Sequence, residues 1–76
     1  MHLGMLWFDN TPNVTLKNRI EKAVNYYRKK YHREPNLCLI NPAMLEKNGP
    51  EIGQLTVRSY SHILPGHLWI GVEEKN

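Results

Sequence analysis

Between Thr15 and Arg33 the apolar residues Leu16, Ile20, Ala23, Val24, Tyr27 and Tyr31 recur at intervals of three and four. That spacing puts all six on one side of an α-helix, and no other segment of the chain is so periodic. A helix with a single apolar stripe must lay it on another layer. The flanking segments show what that layer is. Residues 2 to 8, His2-Leu3-Gly4-Met5-Leu6-Trp7-Phe8, are apolar on both alternations and read as a strand that wants both faces covered. Leu37-Cys38-Leu39-Ile40 reads as a short interior strand.

The helix boundaries have local causes. Asp9 to Asn13 reads as a turn in which Pro12 biases Thr11 toward extended geometry, and either Asn13 or Thr15 can cap the first amides. Pro35 disfavours helical geometry at Glu34 and stops the helix. Strand, helix and strand at these lengths predict a right-handed parallel crossover. Asn41-Pro42-Ala43-Met44-Leu45-Glu46-Lys47, a cap residue followed by Pro, predicts a short second helix ended by Asn48-Gly49-Pro50.

The last third is β in character. Gln54 to Ser59 alternates, with Leu55 and Val57 opposed to Thr56 and Arg58, and Leu68 to Val72 is a further apolar strand. Pro65-Gly66 turns the chain between them, and residues 73 to 76 read as a tail. The expectation is a single α/β domain over residues 1–76: about four strands in a mixed sheet, one long helix on one face and one short helix.

With 76 residues, folding hides only roughly 60% of the surface of the unfolded chain, so the core needs help. Cys38 is the only cysteine, which excludes an intrachain disulfide and disfavours a metal cage. A partner subunit is the remaining supplement. The two-sided apolar strands point the same way, and Met5, Trp7, Phe8 and Trp69 are the expected homodimer interface. No apolar run reaches the roughly 18 residues of a membrane span, and Met1 to Phe8 is too short for a signal peptide's apolar region. With one unpaired thiol besides, cytoplasm is the expected compartment.

Charge is concentrated rather than extreme. The net charge is +3, yet residues 15 to 33 alone carry seven of the ten Lys and Arg against Glu21, a local +6. On a helical wheel Arg19, Lys22, Tyr26, Lys29, Lys30 and Arg33 gather on the flank beside the apolar stripe. Such a flank can track phosphates while Tyr26 stacks on a base or sugar, although charged stripes are also ordinary solvated surface. Helix-turn-helix, zinc-finger and RNA-recognition signatures are missing.

Enzymatic signatures are sparse. His2, His32, His62 and His67 contain no pair at the spacing that puts two ligands on one helical turn. Cys38 lies in an apolar run, which favours an inert core thiol over a nucleophile. Asp9 ends an apolar strand, a place where α/β enzymes keep carboxylates, but a turn-forming Asp looks the same. No glycine-rich phosphate loop is present. The first functional expectation is therefore a small, soluble, self-associating, non-enzymatic interaction module without cofactor. The second is a nucleic-acid-binding accessory protein that uses the basic face of helix 15–33, and an enzyme using Asp9 with a histidine or Cys38 is a distant third.

Overall fold

The computed structural model describes residues 2–44 and 52–73, the side chains of residues 2 and 3 excepted. The long helix, α1, spans Leu16–Tyr31. Thr15 is its cap: the hydroxyl accepts the amide of Asn18 at 3.1 Å. Asn13, the other candidate, instead takes a positive φ of 63°, a conformation Asn tolerates better than most residues. The helix ends two residues short of Arg33 because His32 turns left-handed, φ 55°, while its amide donates to the carbonyl of Arg28 at 2.9 Å.

The sheet contains β1 (His2–Phe8), β2 (Leu37–Ile40), β3 (Thr56–Ser59) and β4 (His67–Glu73) in the spatial order β1-β4-β2-β3. β4 runs antiparallel to both β1 and β2, and β3 runs parallel to β2. β1 and β2 thus point the same way, as a strand–helix–strand crossover requires, but β4 is inserted between them. The turn at Pro65-Gly66, with Gly66 at φ 83°, reverses the chain so that β4 returns along β2 rather than along β3.

Of the expected second helix, the described residues Pro42–Met44 form a 3-10 turn. Asn41 takes both side-chain ends into other bonds, its Oδ1 accepting from the Ala43 amide and its Nδ2 donating to the Ile63 carbonyl, each at 2.8 Å. Residues 45–47 of that expectation, the stop at 48–50 and the tail at 74–76 lie outside the described residues. Two strand boundaries also move. Glu73 belongs to β4 because the amide–amide exchange with Asn36 extends the ladder: Glu73 N donates to Asn36 Oδ1 at 2.7 Å and Asn36 Nδ2 donates to the Glu73 carbonyl at 3.2 Å. β3 starts only at Thr56, since Gly53, at φ 53°, turns the chain between the bridged residues Ile52 and Leu55.

The stripe of α1 is the core. Leu16, Ile20, Ala23, Val24 and Tyr27 are buried against Cys38 and Ile40 of β2 and Leu68, Ile70 and Val72 of β4. Met5, Trp7, Tyr31, Met44 and Val57 close the cluster around its margins. Everything buried by the helix lies on one side of the sheet. Among the described residues no helix is long and apolar enough to cross a membrane.

Candidate interaction surfaces

Side chains alternate across a strand, so the register assigns the other side of the sheet residue by residue. Met5 faces Ile70 and Trp7 faces Leu68, which places Met5 and Trp7 on the helix side. Leu6 opposite Trp69 and Phe8 opposite His67 therefore lie on the open side, joined by Leu37, Leu39, Thr56 and Arg58. No described helix or strand covers this side, although Leu37 on it is only 5% exposed and the buried Ile63 of the 60–66 loop lines its cavity. Leu6 is 60% and Phe8 55% exposed, large values for apolar residues inside a sheet. The Pro65-Gly66 turn gives Phe8 partial cover only: the His67 ring lies 4.7 Å from it, and a Cβ added to Gly66 would come within 3.1 Å of Phe8 Cε1.

Trp69 forms the floor of this surface. Its indole lies across β1 at Gly4, where an added Cβ would overlap Cζ2 and Cε2 and sit 2.8 Å from Cη2. Beside it is a cavity of about 470 Å³ lined by Leu37, Leu39, Arg58, Tyr60, Ile63, Trp69 and Glu73. Arg58 and Glu73 face each other at 3.9 Å on its rim, so the one charge pair of the open side is internally balanced. Exposed Tyr60, which lines the cavity, extends the apolar surface past the end of β3.

A second cleft, about 380 Å³, lies between α1 and the 52–55 turn. It contains Arg28 and Glu34, which bind one another through two hydrogen bonds of 2.6 and 2.5 Å. Arg28 holds the Glu34 carboxyl below its ordinary range, and Glu34 raises the guanidinium in turn. Each is thus the other's partner at the mouth of the cleft.

The basic flank of α1 faces the β1 side of the sheet, where Tyr26 meets Trp7. The rings of Trp7 and Tyr26 are 5.1 Å apart, which fixes the flank, and Lys22 and Lys30 stand one turn before and after Tyr26. Lys30 Nζ is 6.0 Å from the Tyr26 ring centre and 5.5 Å from that of Tyr31. Arg19 shares the flank but is tied down, one guanidinium NH2 donating to the Thr11 carbonyl at 2.7 Å. Lys29 lies further round toward solvent. Arg33 falls beyond the left-handed His32 and off the helix, so the wheel does not place it with the others.

Cys38 and Asp9, the residues weighed for chemistry from the sequence, both have structural settings. Cys38 is fully buried, and desolvation pushes its thiol up to about 12, which leaves no thiolate at neutral pH. Asp9 is below its ordinary carboxylate value first because Thr11 hydrogen-bonds to it, the amide at 2.9 Å, and then because Lys22 and Arg19 are near. It ties a turn. Among the described residues no three His, Cys, Asp or Glu side chains converge where a metal ion could be held. Comparison with protein-family models, curated proteins and solved structures found no match to this chain.

Of the four residues expected at a dimer interface, Phe8 and Trp69 share the open side, whereas Met5 and Trp7 are turned to the helix. Leu6, Leu39 and Tyr60 join the open surface without having been singled out from sequence. The alternation Leu6/Phe8 against Met5/Trp7 was visible, but which set faces the helix depends on register with β4.

Proposed function

We propose that this chain is a non-enzymatic interaction module that self-associates through the open side of its sheet. The observation that carries the reading is the exposure of Leu6 and Phe8 beside Trp69 and its neighbouring cavity, on a surface that no described helix or strand covers. A second copy suits this surface because its polar content is self-cancelling. Arg58 and Glu73 are already paired, so a twofold contact brings no net like charge together. Strands about 4.8 Å apart and about 3.4 Å per residue make the open side roughly 350 Å² in plan. Adding the exposed loop residues, a face-to-face dimer hides on the order of 1,000 Å², the lower end of specific association. A reversible dimer with a micromolar dissociation constant is the matching expectation.

The experiment is sedimentation equilibrium across low to high micromolar concentration, on the parent chain and on Leu6→Glu and Phe8→Glu. The parent should shift from monomer to dimer mass, and each variant should remain monomeric with an unchanged unfolding midpoint, since both positions are already largely exposed. A parent chain that stays monomeric at high micromolar concentration refutes the reading. The nucleic-acid alternative has narrower support, because Arg19 of the basic flank is engaged by its own backbone and Lys30 lies against the Tyr26 and Tyr31 rings, at 6.0 and 5.5 Å.

A further inference from the structure

The two borders of the sheet are built differently. β3 forms one of them and is four residues long with Arg58 in it. β1 forms the other and is seven residues long, with no Lys, Arg, Asp, Glu or Pro. Its pairing with β4 runs unbroken from His2↔Glu73 to Phe8↔His67, so no bulge twists it out of line. Among the described residues no strand pairs with its outer edge. Long, straight, uncharged edges expose a row of backbone donors and acceptors that sheet proteins otherwise cover or disarm.

Charge marks the space beside that edge. The Trp7–Tyr26 contact turns one flank of α1 to the β1 side of the sheet, and that flank presents Lys22 and Lys30, with Lys22 and Arg19 both near Asp9 past the C-terminal end of the strand. The opposing charge there is Asp9, past the end of β1 and occupied by the Thr11 amide. Unmet hydrogen bonds on this side have the same sense. Trp7 Nε1 and Arg19 Nε are buried atoms without a partner, and both can only donate.

We propose that the outer edge of β1, beneath the Lys22–Tyr26–Lys30 row, is a strand-addition site for an extended acidic segment of a partner protein. Backbone pairing with β1 supplies alignment, and the cations above supply the preference for carboxylates. The pleat then dictates the pattern of the segment. Residues on the helix side fall beneath Lys22 and Lys30 and are acidic, while the alternate ones fall beside Leu6 and Phe8 and are apolar. A nucleic acid would neutralise the cations but leave the edge amides and carbonyls unpaired. A second copy joined edge to edge by a twofold axis would bring two Lys22–Lys30 rows side by side, like charge against like.

The test uses the intact chain and a fluorescein-labelled peptide that alternates Glu with Val. Controls are a Lys/Val peptide, the Glu/Val peptide with a central Pro, and a single-stranded oligonucleotide. Anisotropy at low and near-physiological salt reads affinity, and NMR-detected amide exchange reads where the peptide lies. The Glu/Val peptide should bind and slow exchange along β1, more weakly at higher salt. The Lys/Val and Pro-containing peptides should not bind, and the double variant K22E/K30E should lose roughly tenfold or more in affinity. Both lysines are exposed, so that variant should unfold at the parent's midpoint. Several results overturn the proposal: no binding of the Glu/Val peptide at low salt, equal binding by K22E/K30E, equal binding of the Pro peptide, or unchanged exchange in β1. Tight oligonucleotide binding without peptide binding would assign the edge to that other occupant and overturn it equally, and so would concentration-dependent protection of β1 amides that persists in Leu6→Glu, where association through the open side is lost.

Discussion

Gly4→Ala is a single-methyl change that tests how the open side is assembled. The alanine Cβ would overlap two ring atoms of Trp69, and an indole cannot bend away as a flexible chain end can. The ring must swing off the sheet or the strands must separate. Overpacking of this kind costs about 1–3 kcal/mol. Alanine also restricts the unfolded chain relative to glycine, which returns about 0.4–1 kcal/mol where the backbone tolerates it. Gly4 is paired with Gly71 in regular β register and has no left-handed φ, so that offset applies in full. The net expectation is a loss of about 1–2 kcal/mol. For a domain of this size that lowers the urea midpoint by about 1 M or the thermal midpoint by about 5–15 °C. The cause is isolated by a double-mutant cycle with Trp69→Leu, in which the clash is absent. In that background Gly4→Ala should be neutral or slightly stabilising, giving a coupling of at least about 1 kcal/mol. If Gly4→Ala is neutral in the parent, or costs the same with leucine at 69, the placement of the indole over Gly4 is wrong.

Ile20→Ala removes a fully buried side chain at the centre of the helix–sheet contact and should cost about 2–5 kcal/mol, read as a lower denaturant midpoint at unchanged helix content in the folded baseline. Cys38 should resist thiol reagents in the folded protein and react at a rate that follows opening as urea is added. Its thiol also sets a pH dependence. The unfolded thiol ionises near 9.0 and the folded one at about 12, so the unfolded state gives up its proton first. Its contribution is therefore complete below pH 9 and is lost as pH rises toward 12, a decline that Cys38→Ala should lack when the two stability curves are subtracted.

Much of the site's logic was legible in the sequence in outline only. The row Lys22, Tyr26, Lys30 could be placed on one flank because helical spacing is fixed within the element, and so could its separation from Arg28. What the flank overhangs could not be known, since the contact of Tyr26 with Trp7 joins residues far apart in the chain. Arg33 was assigned to the row because an apolar-stripe argument has no means of seeing that His32 turns left-handed.

The strip Leu16 to Tyr31 and the four strands were readable because periodicity, capping and proline placement act over a few residues. Each such rule closes within one element. The order β1-β4-β2-β3 obeys no rule of that kind. It requires β4, last in the described chain, to enter between the first two strands, and the energy that favours this comes from packing Leu68, Ile70 and Val72 beneath the helix all at once. Register carries the largest consequence. β1 is apolar on both alternations, and a slip of one residue would exchange Met5 and Trp7 for Leu6 and Phe8. Pairing with β4 made that choice: it turned one set toward α1, left the other open beside Trp69, and put an uncharged strand edge on the side of the sheet that the cations of α1 flank.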